Sequence, residues 1–350
     1  YIIILHQLLN MNQEAKYYNA LNILYKCNYS KLQKSLEKCG SWQKAWEAER
    51  AGSDLDAEKE WRRLEDGGIS LILKDDNGFP LLLKEISFCP FGIYVLGVLK
   101  LPEFPVAIVG TRRATPRGKE AAKAFAFKLG SAGFAIISGL AMGIDEAAHQ
   151  GALDGGGKTI AVLGTPLDNI YPKQNEGLAK RILEKGGAVI SEFSLGNDYH
   201  PQNFLIRNRI ISGLTKAVIV IEAPEKSGAL ATARFALEQN REIFVVPGNI
   251  GAQNYKGSHG LIKAGAALVE GPEDILDFFD VKVGKKMPEL KEAGGDENKI
   301  LAVLMENGGE LAPDKILEMA GIDAGILNKN LAKLTIKGII KEINGKYYLA

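Results

Sequence analysis

Cysteine is scarce in this chain: Cys27, Cys39 and Cys89 are the only three in 350 residues, and no two form a C-x-x-C pair. That excludes a disulfide scaffold or a zinc knuckle and suits a reducing cytoplasm. No run of 18 apolar residues occurs, so no membrane insertion is expected. The apolar opening Tyr1-Ile2-Ile3-Ile4-Leu5 has no basic stretch before it and reads as a buried segment or a truncated start, not a signal peptide. An excess of one charge is also missing. The chain has 43 Lys plus Arg against 42 Asp plus Glu, so overall charge selects no partner. Residues 101–210 carry the largest basic surplus, 13 against 10, with 11 against 10 in residues 281–350, so any polyanion site is a local patch, expected in the first of these segments. Catalytic signatures are absent as well. The loop after the first core strand is not G-x-G-x-x-G and no G-K-[ST] follows it, there is no G-x-S-x-G elbow, and no cysteine is placed as a nucleophile.

What the chain does contain is a β-α-β rhythm. Its length implies two or three domains. Residues 105–275 hold 23 of the 39 glycines, and short apolar runs recur there: Val106–Val109, Phe134–Ile137, Thr159–Leu163, Ala188–Ile190, Ala217–Ile221, Glu242–Val246 and Ala267–Val269. Such continuous runs suit strands covered on both faces. Amphipathic stretches alternate with them: Arg117–Gly130, Asp145–Asp154, Glu176–Gly186 and Ala229–Asn240. The pattern predicts a Rossmann-like α/β core, a mostly parallel sheet with helices on both faces, over residues 69–280. Before it, residues 1–68 predict a helical domain with helices over Glu14–Tyr25, Lys31–Lys38, Ser41–Arg50 and Asp54–Glu65, leading into a strand at Ile69–Leu73. Residues 281–298 read as a linker. Residues 299–350 predict a winged helix: three helices, then Ile339–Ile343 and Lys346–Leu349 around Asn344-Gly345.

Ligands of open α/β sheets bind beyond the carboxyl ends of the strands. The first core strand ends at Gly110-Thr111-Arg112-Arg113, followed by Thr115-Pro116-Arg117. Its arginines, hydroxyls and helix-start N–H groups suit phosphate oxygens, with solvated surface arginines as the plain alternative. The second ends at Ser138-Gly139, where a backbone turn can hold an anion. Beyond it, Asp145 reads as a helix N-cap with His149 one turn on, a pair suited to helix-start and core hydrogen bonding, or else to direct chemistry. After the third come Gly164-Thr165, Tyr171 and Lys173, the lysine a candidate phosphate contact and the tyrosine either a stacking surface or a packed ring. Glu192 follows the fourth as a weak candidate base. The most basic segment is His200-Pro201-Gln202-Asn203-Phe204-Leu205-Ile206-Arg207-Asn208-Arg209, read as a loop entering a helix with both arginines in its first turns. Arginines there oppose the macrodipole and call for an anion or for intraprotein pairing with Glu192 or Glu222, and Phe204 offers a stacking platform. Lys226-Ser227-Gly228 forms a second anion cradle at a helix start, and a glycine-rich rim runs from Pro247-Gly248 to Gly260. Several anion-friendly strand ends without a committed acid–base pair fit a binder of an extended phosphate chain.

Taken in order, these segments resemble the DNA-processing protein A family (DprA, or Smf). The resemblance is carried by Ile108-Val109-Gly110-Thr111-Arg112, Ser138-Gly139-Leu140-Ala141 with Gly143-Ile144-Asp145 and His149, and Tyr171-Pro172 with Asn175. It continues through Ser191-Glu192, Arg207-Asn208-Arg209-Ile210-Ile211-Ser212-Gly213-Leu214, Lys226-Ser227-Gly228, Pro247-Gly248, Leu261-Ile262 and Gly265-Ala266, covering residues 104–277. It implies a non-enzymatic binder of single-stranded DNA. Such a protein protects incoming strands, helps load a RecA-type recombinase during natural transformation, works as a homodimer and meets single-strand-binding protein. By residue match it implies DNA contacts from Arg112, Ser138, Gly139, Lys173, Phe204, Arg207, Asn208, Arg209 and Lys226. Gly110, Thr111, Ser227 and Gly228 join them from the loop reading, and no cofactor, metal or catalytic residue is expected. This chain departs from the family at Met142, where Arg or Lys is usual, at Leu205, where proline is usual, and at Thr165, where serine is common. A runner-up of another class is a Rossmann-like nucleotide-hydrolysing enzyme using Glu192 or Asp145, although the P-G-G-x-G-T motif of such phosphoribohydrolases is missing. A third reading has the core bind a regulatory nucleotide while the helix Ala324–Lys337, with Lys329, Lys333 and Lys337 on one face, meets duplex DNA.

Overall fold

The structure, a computed structural model, describes residues 2–198, 200–281, 295–307, 310–336, 339–343 and 345–349. The chain divides into two compact units, residues 1–282 and 283–350.

The first unit opens with α1 (Ile2–Leu24), α2 (Tyr29–Cys39), α3 (Trp42–Glu49) and α4 (Ala57–Asp66). Their starts follow from capping side chains: Asn28 accepts from Lys31 N, Ser41 from Lys44 N, and Asp56 from Glu58 N and Lys59 N. Helix α1 begins well before the expected Glu14 and takes in the apolar opening residues. Then follow β1 (Ile69–Leu73), α5 (Leu81–Lys84), β2 (Gly92–Gly97), β3 (Pro105–Val109), α6 (Pro116–Ser131), β4 (Ala135–Ser138), α7 (Ile144–Asp154) and β5 (Lys158–Leu163). The unit continues with α8 (Glu176–Glu184), β6 (Ala188–Ser191), α9 (Pro201–Gly213), β7 (Ala217–Val220), α10 (Gly228–Glu238), β8 (Glu242–Val245), α11 (Lys256–Lys263), β9 (Ala267–Leu268) and α12 (Pro272–Phe278).

Nine strands form one sheet in the order β1-β2-β6-β5-β4-β3-β7-β8-β9. From β6 to β9 every pairing is parallel, whereas β2 runs antiparallel to both β6 and β1. The sheet is therefore mixed at one end, and β2 is a strand the sequence reading did not assign. Alternation along β3 shows both faces covered. Val106 and Ile108 pack with Phe125, Leu129 and Ala148 of α6 and α7, while Ala107 and Val109 pack with Ile210, Ile211 and Ala233 of α9 and α10. Strand order reverses at β3, which lies between β4 and β7, so the ligand-binding position of such sheets falls at the carboxyl ends of β3 and β7.

The N-terminal helices pack directly on the sheet. Tyr18, Leu21, Trp42, Trp46 and Leu64 of the helices share one buried cluster with Leu71, Tyr94, Leu163 and Val189 of the sheet. Polar bonds reinforce this packing: Tyr94 OH donates to Asn19 Oδ1 (2.9 Å), and Asn22 Nδ2 donates to Tyr94 OH (3.1 Å) and to Glu192 O (3.3 Å).

The second unit contains α13 (Gly295–Glu306), β10 (Glu310–Leu311), α14 (Pro313–Ala320), α15 (Ala324–Ile336), β11 (Ile340–Ile343) and β12 (Lys346–Leu349). Its strands form an antiparallel sheet ordered β10-β12-β11, and Ile300, Leu304, Ile316, Leu331, Leu334 and Ile340 fill its core. The short β10 was not foreseen. Most of the expected linker, together with Asn344 and Lys337, lies outside the described residues.

Candidate nucleic-acid interface

At the switch point the loops after β3 and β7 face the start of α9 across a cleft of about 350 Å³. Nine of the thirteen expected residues line it: Gly110, Thr111, Arg112, Phe204, Arg207, Asn208, Lys226, Ser227 and Gly228. Gly139 lines a small hollow beside it, shared with Arg112, Met142, Tyr171, Phe204 and Arg207. Lys173 is exposed next to that hollow but lines neither.

The loop from Gly110 is held at both ends. Thr111 N donates to Glu222 O (2.7 Å), and Thr115 caps α6 by accepting from Gly118 N (3.0 Å) with Pro116 at the first helical position. Glu222, fully buried at the end of β7, accepts from Thr115 N and Thr115 Oγ1 (both 3.1 Å) and from Asn254 Nδ2. Its carboxylate thus sits at the positive end of α6 and pairs with neither Arg207 nor Arg209. On the other side, Ser227 caps α10 by accepting from Ala229 N (3.2 Å). Arg112, Arg113 and Lys226 are exposed, and no carboxylate among the described residues pairs with them.

Arg207 and Arg209 occupy different places from those expected. Helix α9 begins at Pro201 with His200 as its cap, so both arginines lie in its interior, beyond the first turn. Arg207 is 3% exposed; its Nη1 donates to Gly139 O (2.8 Å) and Val162 O, and its Nε to Asn208 Oδ1 (3.2 Å). A Cβ on Gly139 would come within 2.5 Å of the guanidinium, so a larger residue there would have to displace Arg207. Burial brings Arg207 down to about 10, with the neighbouring Asp145 carboxylate opposing the shift. Arg207 is therefore a fixed charge in the cleft wall. Arg209 faces away: its Nη2 donates to Glu192 Oε1 at 2.6 Å, and both residues line a second cavity. The pairing with Glu192, foreseen as an alternative, is what the structure contains. Two residues apart on a helix are about 200° apart around its axis, so one arginine cannot follow the other.

Two other expectations change, at Ser138 and Asp145, while the core hydrogen bonding expected of His149 is what the structure contains. Ser138 is fully buried, its hydroxyl donating to Ile108 O (2.7 Å), so it braces the sheet and lies outside the cleft. Gly143, at φ +87°, holds the cap position of α7 in place of Asp145. Asp145 instead accepts from Gly139 N (3.0 Å), and burial raises its carboxyl above the usual range. His149 is fully buried against Thr159.

Aromatic rings close one side of the cleft. The Arg112 guanidinium lies 5.3 Å from the centre of the Phe204 ring, and the Tyr171 ring centre is 5.5 Å from it at a tilt of 52°. Phe204 presses so closely on Gly164 that a Cβ there would come within 2.7 Å of its ring. Missed by sequence reading were Glu222 and Asn254, which pin the arginine loop; only the position of Glu222 at a strand end hinted at it.

Among the described residues no cluster of His, Cys, Asp and Glu suits a metal ion, and no helix is long and apolar enough to cross a membrane. A family model for DNA recombination-mediator protein A matches residues 70–280. Protein Smf of Escherichia coli is 40% identical over 292 residues, covering 81% of this chain and 78% of that protein. DNA processing protein DprA of Streptococcus pneumoniae is 42% identical over 206 residues, covering 59% of this chain and 72% of that one. Among solved structures, DNA processing protein A from S. pneumoniae superposes with a TM-score of 0.61 at 33% identity, covering 77% of this chain and 95% of that one. DNA processing protein A from Helicobacter pylori, solved for its single-stranded DNA binding mode, gives 0.55 at 30% identity, covering 61% and 97%.

Proposed function

Because the chain belongs to the DNA recombination-mediator protein A family, we propose that it binds single-stranded DNA, without strong sequence preference, in the cleft at the carboxyl ends of β3 and β7. One observation carries the reading: Arg112, Phe204 and Lys226 meet there with the start of α10. Exposed cations and helix-start N–H groups take the phosphates. Phe204, with Tyr171 beside it, offers ring surface to a base, an interaction of about 1–3 kcal/mol per base. Gly110, Thr111, Ser227 and Gly228 let backbone approach backbone, and Lys173 extends the basic track. The single-stranded DNA binding mode described for the H. pylori relative supports this substrate.

The same reading covers the cellular role: protection of incoming strands in the cytoplasm and loading of a RecA-type recombinase during natural transformation. It takes in contact with single-strand-binding protein and action as a homodimer. It includes no catalysis. Glu192 is engaged by Arg209 and Asp145 by Gly139 N–H, which weighs against a hydrolytic role for either. In domain terms, residues 1–68 are a helical module, 69–280 the DNA-binding core and 299–350 a winged helix, its helix–strand order and antiparallel sheet supporting that last assignment.

Fluorescence anisotropy with a labelled oligo-dT, at several salt concentrations, tests the cleft. Arg112→Glu and Lys226→Glu are each expected to weaken binding at least tenfold and to lower the salt slope by about 0.7, the value for one phosphate contact on a single strand. Unfolding midpoints should stay at the wild-type value, because both side chains are exposed. Wild-type affinity and slope in both variants would overturn the assignment.

A further inference from the structure

The second cavity, about 1070 Å³, lies between the α1–α2 turn, the residues after β6 and the start of α9. Two helix N-termini end on it. Residues 28–31 bring the start of α2, an 11-residue helix, and His200 with Asn203 bring the start of α9. Neither helix has an acidic residue in its first turn, so neither offsets its own partial positive charge. Lys26 and Lys31 are exposed at the rim. Arg209, in the wall, is 4% exposed; its Nη2 is taken by Glu192, and its buried Nη1 has no hydrogen-bond partner among the described residues. A buried guanidinium N–H is rarely left without an acceptor, so this one points to a ligand oxygen as its partner. Against these positive groups the lining sets two carboxylates, Glu192, already paired, and Asp198. The balance favours an anion.

Part of the lining is aromatic. Phe88 is 61% exposed at the cavity, and the Tyr29 ring lies 5.2 Å from it. A phenyl ring that far out of the core contributes little to packing and presents a face for stacking. A cavity with a cationic end and an exposed aromatic wall fits a ring that carries a phosphate. We propose that it binds a nucleoside monophosphate group, with the phosphate toward the starts of α2 and α9 in the field of Arg209 and the base on Phe88 and Tyr29. A free mononucleotide and the 5′ end of a strand present that same group.

Isothermal titration of the full chain with dTMP, thymidine and inorganic phosphate tests the site. dTMP is expected to bind, and thymidine and phosphate each at least tenfold more weakly. Lys31→Glu and Phe88→Ala, both at exposed side chains, should each weaken dTMP at least fivefold, while Arg112→Glu leaves it unchanged. Competition by 5′-phosphorylated oligo-dT, and not by the unphosphorylated strand, would identify a strand end as the occupant; no competition by either would identify the free nucleotide. Absence of dTMP binding overturns the proposal, as does phosphate binding as tightly as dTMP. Loss of dTMP binding in Arg112→Glu with retention in the other two variants overturns it as well, by putting the nucleotide in the arginine cleft. Strand affinity measured separately on Arg112→Glu keeps the failure of this site distinct from failure of the cleft.

Discussion

The Thr159 hydroxyl donates to Ile136 O at 2.6 Å, so its contact of 2.7 Å with His149 Nδ1 must be one in which the imidazole donates. That assigns the neutral tautomer with the proton on Nδ1 and leaves Nε2 as a bare, buried acceptor without a partner among the described residues. Burial, aided by the charge of Arg207, pushes His149 down to about 3 from 6.5. The unfolded chain therefore takes up this proton first as pH falls, and the resulting stability is complete above about pH 6.5 and declines from there toward pH 3. Between pH 6.5 and 5 the loss from this residue is about 2 kcal/mol, at 1.4 kcal/mol per unit. Urea midpoints of wild type and His149→Gln across that range should show a smaller decline in the variant. Parallel curves would mean His149 titrates normally. At this scale the sequence was legible where one side chain had one local partner, and less so in α9. Arg207 and Arg209 looked like a pair because they are close in sequence, but helix geometry sends them to opposite walls, and Pro201 starts that helix earlier than the polar run suggested.

Helix α6 and strand β7 are joined by Glu222, whose carboxylate receives Thr115 and Asn254 and holds the arginine loop between them. Replacing it by Gln puts an amide donor among groups that already donate, so at least one buried hydrogen bond is lost. Glu222→Gln is expected to lower unfolding stability by about 1–3 kcal/mol and to weaken strand binding without removing any cation that touches DNA. Urea denaturation and anisotropy on the same preparation check this; unchanged stability would mean the loop is held by its backbone bond to Glu222 O alone. The seven strands from β3 to β9 were readable because parallel strands covered on both faces leave continuous apolar runs. Strand β2, Gly-Ile-Tyr-Val-Leu-Gly, has that signature too. It was passed over because it falls outside the β-α-β alternation: it runs antiparallel between β1 and β6 and is assigned by its neighbours in space.

The unit comprising residues 1–282 shares its core between the N-terminal helices and the sheet, so the region matched by the family model does not coincide with a self-contained body. A fragment of residues 101–280 would leave Leu163, Leu178 and Val189 uncovered and lose β1 and β2 from the sheet. It is expected to aggregate or unfold at low denaturant. Residues 1–282 should instead unfold in one cooperative step and retain the strand affinity of the full chain, which circular dichroism and anisotropy would establish. Separate transitions for the helices and the sheet would contradict the shared core. The place of Arg207 has a consequence for the whole molecule. Mobile ions gather only where water reaches, and this guanidinium is sealed beneath Gly139 with its donors on carbonyl oxygens. Raising ionic strength erodes the pull of Arg112 and Lys226 while hardly touching the attraction exerted from below them. The hold on a strand would then level off at a floor set by one inaccessible cation.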